Sequence, residues 1–76
     1  MKNISIVIPV YNEEKNIKIL IKEIMNIQSI SYINEIIIID DHSTDNSKAE
    51  IIKLAKLFNI IKFFSHAIAT IILFVY

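Results

Sequence analysis

Four consecutive isoleucines, Ile36 to Ile39, run straight into two aspartates within the segment EIIIIDDHSTDNS, residues 35–47. Every position of that run is β-branched, so each side chain is stiff at χ1 and packs best on a pleated surface. The run is short and ends in a polar cluster, which favours a strand over a helix. Successive strand residues point to opposite faces, so a strand with no polar alternate must be covered on both. That requirement points to a parallel sheet with helices layered on it. It also fixes where the strand leaves the core, at Asp40 and Asp41.

The flanking sequence supplies the matching elements. ISIVIPVY, Ile4 to Tyr11, is a second β-branched run and predicts a first strand, apolar on both faces. Pro9 lacks an N–H and belongs near that strand's end. Asn12 is the expected helix N-cap, with Glu13 and Glu14 in a first turn where the helix dipole favours negative charge. Ile17, Leu20, Ile21 and Ile24 recur at helical spacing, opposite Lys15, Lys18, Lys22 and Glu23. Gln28 to Ser31 form a polar connector. A second helix is expected from Ser43 or Ser47, with Ser47 and Glu50 spaced as a capping box and Thr44, Asp45 or Asn46 as other caps. Ile51, Leu54, Ala55 and Phe58 mark its buried side. IIKFF, Ile60 to Phe64, predicts a third strand. The order β-α-β-α-β is the first half of a doubly wound, Rossmann-like α/β sheet.

Composition narrows the function classes. The chain has 76 residues, enough for one small domain. Eight lysines balance eight acidic residues, which leaves no electrostatic footprint for nucleic acid. There is no cysteine, hence no disulfide, and no glycine, which excludes the glycine-rich turns of dinucleotide-binding and P-loop motifs. The segment SHAIATIILFVY, residues 65–76, is apolar but shorter than the ~20 residues a membrane-spanning helix needs.

In an open parallel sheet, ligands bind outside the carboxyl ends of the strands. If the first two strands are neighbours, Val10-Tyr11-Asn12-Glu13 and Asp40-Asp41 share one rim. A carboxylate accepts hydrogen bonds from a base imide or ribose hydroxyls, and a tyrosine ring can stack on a base. Tyr11 and Asp41 are therefore a candidate nucleotide cradle. The simpler alternative is that Asp40 and Asp41 only end the strand and cap the next helix.

Together, ISIVIPVYNEEKNI and EIIIIDDHSTDNS resemble the start of the family 2 glycosyltransferases, enzymes of the GT-A fold that use nucleotide-activated sugars. The family pattern is a strand ending P-x-Y-N-E, a helix, and a strand ending D-D-x-S-x-D. PVYNEE looks most like the branch that transfers sugars to polyprenyl (dolichol-type) phosphates, at the cytoplasmic side of a membrane. The resemblance spans residues 3–64. It implies a UDP- or GDP-linked sugar donor, with Pro9, Tyr11 and Glu13 lining the nucleobase and ribose pocket and Asp41 accepting from the base. Asp40 would support the loop, and Ser43 and Asp45 would shape the turn and start the second helix. His42 stands where the family often has glycine, a position that calls for positive φ.

The resemblance also implies Mg²⁺ or Mn²⁺ held by a later D-x-D motif, but no acidic residue follows Glu50. Metal ligand, catalytic base and acceptor site are all missing from these residues. The expectation is a truncated GT-A half: residues 1–64 as nucleotide-binding part and residues 65–76 as an apolar tail able to contact a membrane. Such a chain would bind a nucleotide sugar, transfer nothing alone, and self-associate through an exposed strand edge. Two rivals stand beside it. A receiver-like Mg²⁺-binding domain also ends a strand in two aspartates, but at its first strand. A non-enzymatic membrane-associated fragment would use only the tail.

Overall fold

The computed structural model describes residues 4–65, except for the side chains of Ser29 and Ser65. Its elements run β1 (Ile4–Val10), α1 (Ile17–Met25), a 3₁₀ turn (Gln28–Tyr32), β2 (Ile33–Asp40), α2 (Ser47–Leu57) and β3 (Ile61–Ser65). The strands form one parallel sheet in the order β1-β2-β3. This is the expected β-α-β-α-β architecture. The apolar tail beyond residue 65 lies outside the described residues. Ser65 itself closes β3, one residue later than the sequence pattern suggests.

The isoleucine run takes the central place. Ile36 and Ile38 are fully buried and pair with Ile6 and Ile8 on one side and with Ile61 and Phe63 on the other. They point into a core completed by Ile17 and Ile21 of α1 and by Ile51 and Leu54 of α2. α1 and α2 also touch each other. Ile39, in register with Pro9 and Phe64, is buried on the opposite face. Ile37, on the same face as Ile39, is only half-buried, and neither joins the core that the two helices complete, so the described residues show helices over one face of β2 and not the other.

β1 likewise departs from the expectation of cover on both faces. It lies at the sheet edge; Ile4 and Pro9 are exposed, and Ile6, Val7 and Ile8 only half-buried. Its backbone explains why Pro9 is tolerated. The Val10 carbonyl accepts a hydrogen bond from Asp41 N–H at 2.8 Å, so Val10 turns its backbone toward β2. Alternation then turns the Pro9 backbone outward, where a missing N–H breaks no ladder bond.

The start of α1 differs from the sequence reading, whereas α2 begins at Ser47, one of the two expected starts, with Asn46 at its N-cap position. Asn12 does not cap α1: its φ is +51°, and α1 begins five residues later with Asn16 as N-cap. Glu13 and Glu14 lie before the helix; the Glu13 carbonyl accepts from Ile17 N–H at 2.9 Å. The cause is that the Asn12 side chain is engaged elsewhere, across the rim. Ser47 and Glu50 form no capping box. The Ser47 hydroxyl accepts from Glu13 N–H at 2.7 Å, and Glu50 sits 3.6 Å from Lys53. Leu20, placed by periodicity on the buried side of α1, is 39% exposed; among the described residues no further strand lies beside β1.

Candidate functional site

The carboxyl ends of β1 and β2 meet on one rim. Val10 and Asp40 are register partners, and the next residues, Tyr11 and Asp41, emerge side by side, tied by the Asp41 N–H to Val10 carbonyl bond. Both are open to solvent, Tyr11 at 58%. Each is followed by a residue in the left-handed region, Asn12 at φ +51° and His42 at φ +59°. Asparagine and histidine are among the few non-glycine residues that occupy it readily, which suits a chain without glycine. These two sharp turns let the chain change direction directly after the exposed Tyr11 and Asp41. The His42 imidazole stays near Asp41, with Nδ1 to Oδ1 at 3.7 Å.

The two loops are stitched together by residues that sequence reasoning did not single out for that role. Asn12 N–H donates to Ser43 Oγ at 3.0 Å, and Asn12 Nδ2 donates to Thr44 Oγ1 at 3.2 Å. Asn12 Oδ1 accepts from Thr44 N–H at 2.7 Å and from Asp45 N–H at 3.4 Å. Glu14 N–H donates to Asp45 Oδ2 at 3.3 Å, while Asp45 Oδ1 accepts from Ser47 N–H at 2.9 Å. Ser47, fully buried, takes the Glu13 N–H. The usable sequence signal was the pairing of an αL-tolerant asparagine at one strand end with the S-T-D cluster at the next. Desolvation pushes the Asp45 carboxyl up. Hydrogen bonds from the Ser47 hydroxyl and from the N–H groups of Ser47, Glu14 and Asp45 itself outweigh it and hold the group below its ordinary value.

The residues named from the sequence fall into four places. Tyr11 and Asp41 stand on the rim. Pro9 and Glu13 line a cleft of about 190 Å³ on the open side of β1, together with Ile8, Val10, Asn16, Ile17 and Leu20. Ser43 and Asp45 belong to the stitching. Asp40 is buried, 7% exposed, and its Oδ1 has no hydrogen-bond partner among the described residues. It lies on the helix-covered face, in register with Val10.

These residues do not fit the Mg²⁺ or Mn²⁺ that the resemblance implies. Among the described residues no group of three or more His, Cys, Asp or Glu is placed to hold a metal ion. The adjacent carboxylates do not converge, Asp40 being buried and Asp41 exposed. Among the described residues no helix is long and apolar enough to cross a membrane.

Comparison with known proteins agrees with this frame. Residues 5–69 match the model of the family described as glycosyl transferase family 2. The chain is also 46% identical, over 48 residues, to the undecaprenyl-phosphate 4-deoxy-4-formamido-L-arabinose transferase of Pectobacterium carotovorum subsp. carotovorum (strain PC1). That alignment covers 62% of this chain and only 15% of the relative. A parallel β-α-β-α-β sheet whose rim carries the P-x-Y-N-E and D-D-x-S-x-D segments, together with a family match over most of its length, shows that this chain belongs to glycosyl transferase family 2.

Proposed function

We propose that this chain supplies the nucleotide-recognising part of a family 2 glycosyltransferase that moves a sugar from a UDP- or GDP-linked donor to a polyprenyl phosphate, in the building of cell-envelope glycans. The observation that carries the reading is the backbone bond between Asp41 and Val10, which sets Tyr11 and Asp41 side by side at the carboxyl edge of the sheet. An exposed ring beside an exposed carboxylate can stack on a base and accept its imide proton. Pro9 and Glu13, which line the neighbouring cleft, are suited to the ribose. Asp40, Ser43 and Asp45 support the loops. The relative's printed acceptor, undecaprenyl phosphate, favours the polyprenyl branch.

The same residues argue that this chain does not transfer a sugar alone. Beyond Glu50 it carries no acidic side chain to hold a metal or act as base. Its place in this reading is cytoplasmic, at the inner face of a membrane, with residues 66–76 as the contact and the open β1 edge as a route to self-association. The receiver-like alternative is not favoured, because the aspartate pair closes the second strand and has no third ligand among the described residues.

Titrating UDP, GDP and their sugars into the folded chain tests the proposal. Saturable binding is expected, lost in Asp41→Ala and weakened in Tyr11→Ala. A folded chain that binds neither nucleotide, or one indifferent to Asp41→Ala, overturns it.

A further inference from the structure

We infer that Asn12 is a positioning residue: its side chain locks the β1–α1 and β2–α2 loops into one unit and thereby holds Tyr11 and Asp41 at a set separation. This rests on the nucleotide reading above for its functional consequence, but not for its geometry. Asn12 follows Tyr11 directly, and its φ of +51° marks a sharp turn there. That conformation is tolerated by asparagine and costs most other residues about 1–2 kcal/mol. What the side chain does with it is specific. All of its hydrogen-bonding partners lie on the other loop, more than thirty residues away in sequence: Thr44 N–H and Asp45 N–H reach Oδ1, and Nδ2 reaches Thr44 Oγ1. The Asn12 backbone N–H adds a fourth link, to Ser43 Oγ.

His42 is the counterpart on the second loop. It has the same left-handed turn and follows Asp41, yet its imidazole lies beside its own neighbour, 3.7 Å from Asp41. The crossing runs in both directions: the Asp45 and Ser47 side chains accept from Glu14 and Glu13 N–H, and the Asn12 side chain reaches back to Thr44 and Asp45. Residues 43–45 supply donors and a hydroxyl, and Asn12 is the side chain that gathers them. A glycine at position 12 would keep the turn and lose the clamp, so steric need for positive φ does not by itself explain an asparagine there. Asn12 points its polar groups at Thr44 and Asp45, so its effect on a ligand would pass through the loops it joins.

Two variants of the full 76-residue chain test this. Asn12→Gly keeps the turn and removes the clamp. Asn12→Asp keeps the Oδ1 acceptor for Thr44 and Asp45 and removes the Nδ2 donor. Amide hydrogen exchange is read by NMR at residues 43–45 and, as an internal reference for folding, at Ile36 and Ile38. In Asn12→Gly, exchange at Thr44 and Asp45 is expected to speed up at least tenfold while the β2 reference stays protected; Asn12→Asp is expected to recover part of that protection. Affinity for UDP or GDP is expected to weaken about tenfold in Asn12→Gly, the scale of one lost anchoring hydrogen bond, and less in Asn12→Asp. Unchanged exchange at Thr44 in a folded Asn12→Gly chain overturns the clamp. Faster exchange at Thr44 with wild-type nucleotide affinity overturns the positioning role. Absence of nucleotide binding in the unmodified chain strikes the functional reading instead, and leaves the clamp to be decided by exchange alone.

Discussion

β1 and β2 are built from nearly the same material and live in different surroundings. Both are runs of branched apolar residues, and both end at the same rim. β2 is flanked by strands on either side and keeps Ile36, Ile38 and Ile39 out of water, whereas β1 has one neighbour and leaves Ile4 and Pro9 exposed. At their ends the contrast reverses. Val10 closes β1 with an apolar side chain, and Asp40, its register partner on the same face, closes β2 with a carboxylate whose Oδ1 is buried without a partner among the described residues. Local sequence therefore states how much apolar surface a strand offers. The number of neighbours decides how much of it is used.

The largest effect should separate the two strands directly. Ile38→Ala, at the centre of β2, is expected to cost about 2–5 kcal/mol, enough to unfold much of so small a domain. Ile4→Ala on β1 is expected to stay within about 0.5 kcal/mol. Urea unfolding followed by circular dichroism measures both. Equal costs would mean that β1 is covered in solution, by another copy or by residues outside the described range.

A smaller effect tests the strand ends. Asp40→Val makes the end of β2 match that of β1 and removes a carboxylate oxygen left unpaired in the interior. Replacing such a group by an apolar one is expected to stabilise the chain by about 1–3 kcal/mol. The same unfolding experiment reads it, and a loss of stability would show that the carboxylate finds a partner in solution.

The smallest effect concerns the loops that leave the two strands. Asp45 ties them together by accepting from Glu14 N–H of the first and Ser47 N–H beyond the second. Its pKa is lower in the folded chain than the ordinary 3.8, so it contributes stability above that value. The contribution is lost as pH falls from about 3.8 through the lowered folded value. Thermal melts of the native chain should therefore fall more steeply below pH 4 than those of Asp45→Asn. Parallel curves would mean that Asp45 is no more strongly held than a free carboxylate.

Much of the architecture was legible in the residues. The isoleucine run could only be a strand wanting cover on both faces, and the 3.6-residue spacing of Ile17, Ile21 and Ile24 could only face a core. Element order, the parallel sheet and the shared rim of Tyr11 and Asp41 follow from those patterns. The start of α1 and the partner of the Ser47 hydroxyl did not follow, because asparagine, serine and aspartate are equally good at capping their own helix and at reaching a neighbouring loop. Asn12, Ser47 and Asp45 made that choice only when the β2–α2 loop was brought against the β1–α1 loop.

Sequence by itself determined the family, the element order and the positions that had to be apolar, because periodicity and short motifs are local properties of a chain. The tertiary structure alone decided that β1 is an edge, that Asp40 turns inward while Asp41 opens to solvent, and that Asn12 bridges two loops instead of starting a helix. The first two follow from which elements pack side by side, and the bridge from which groups lie within about 3 Å across the fold, the range at which hydrogen bonds act.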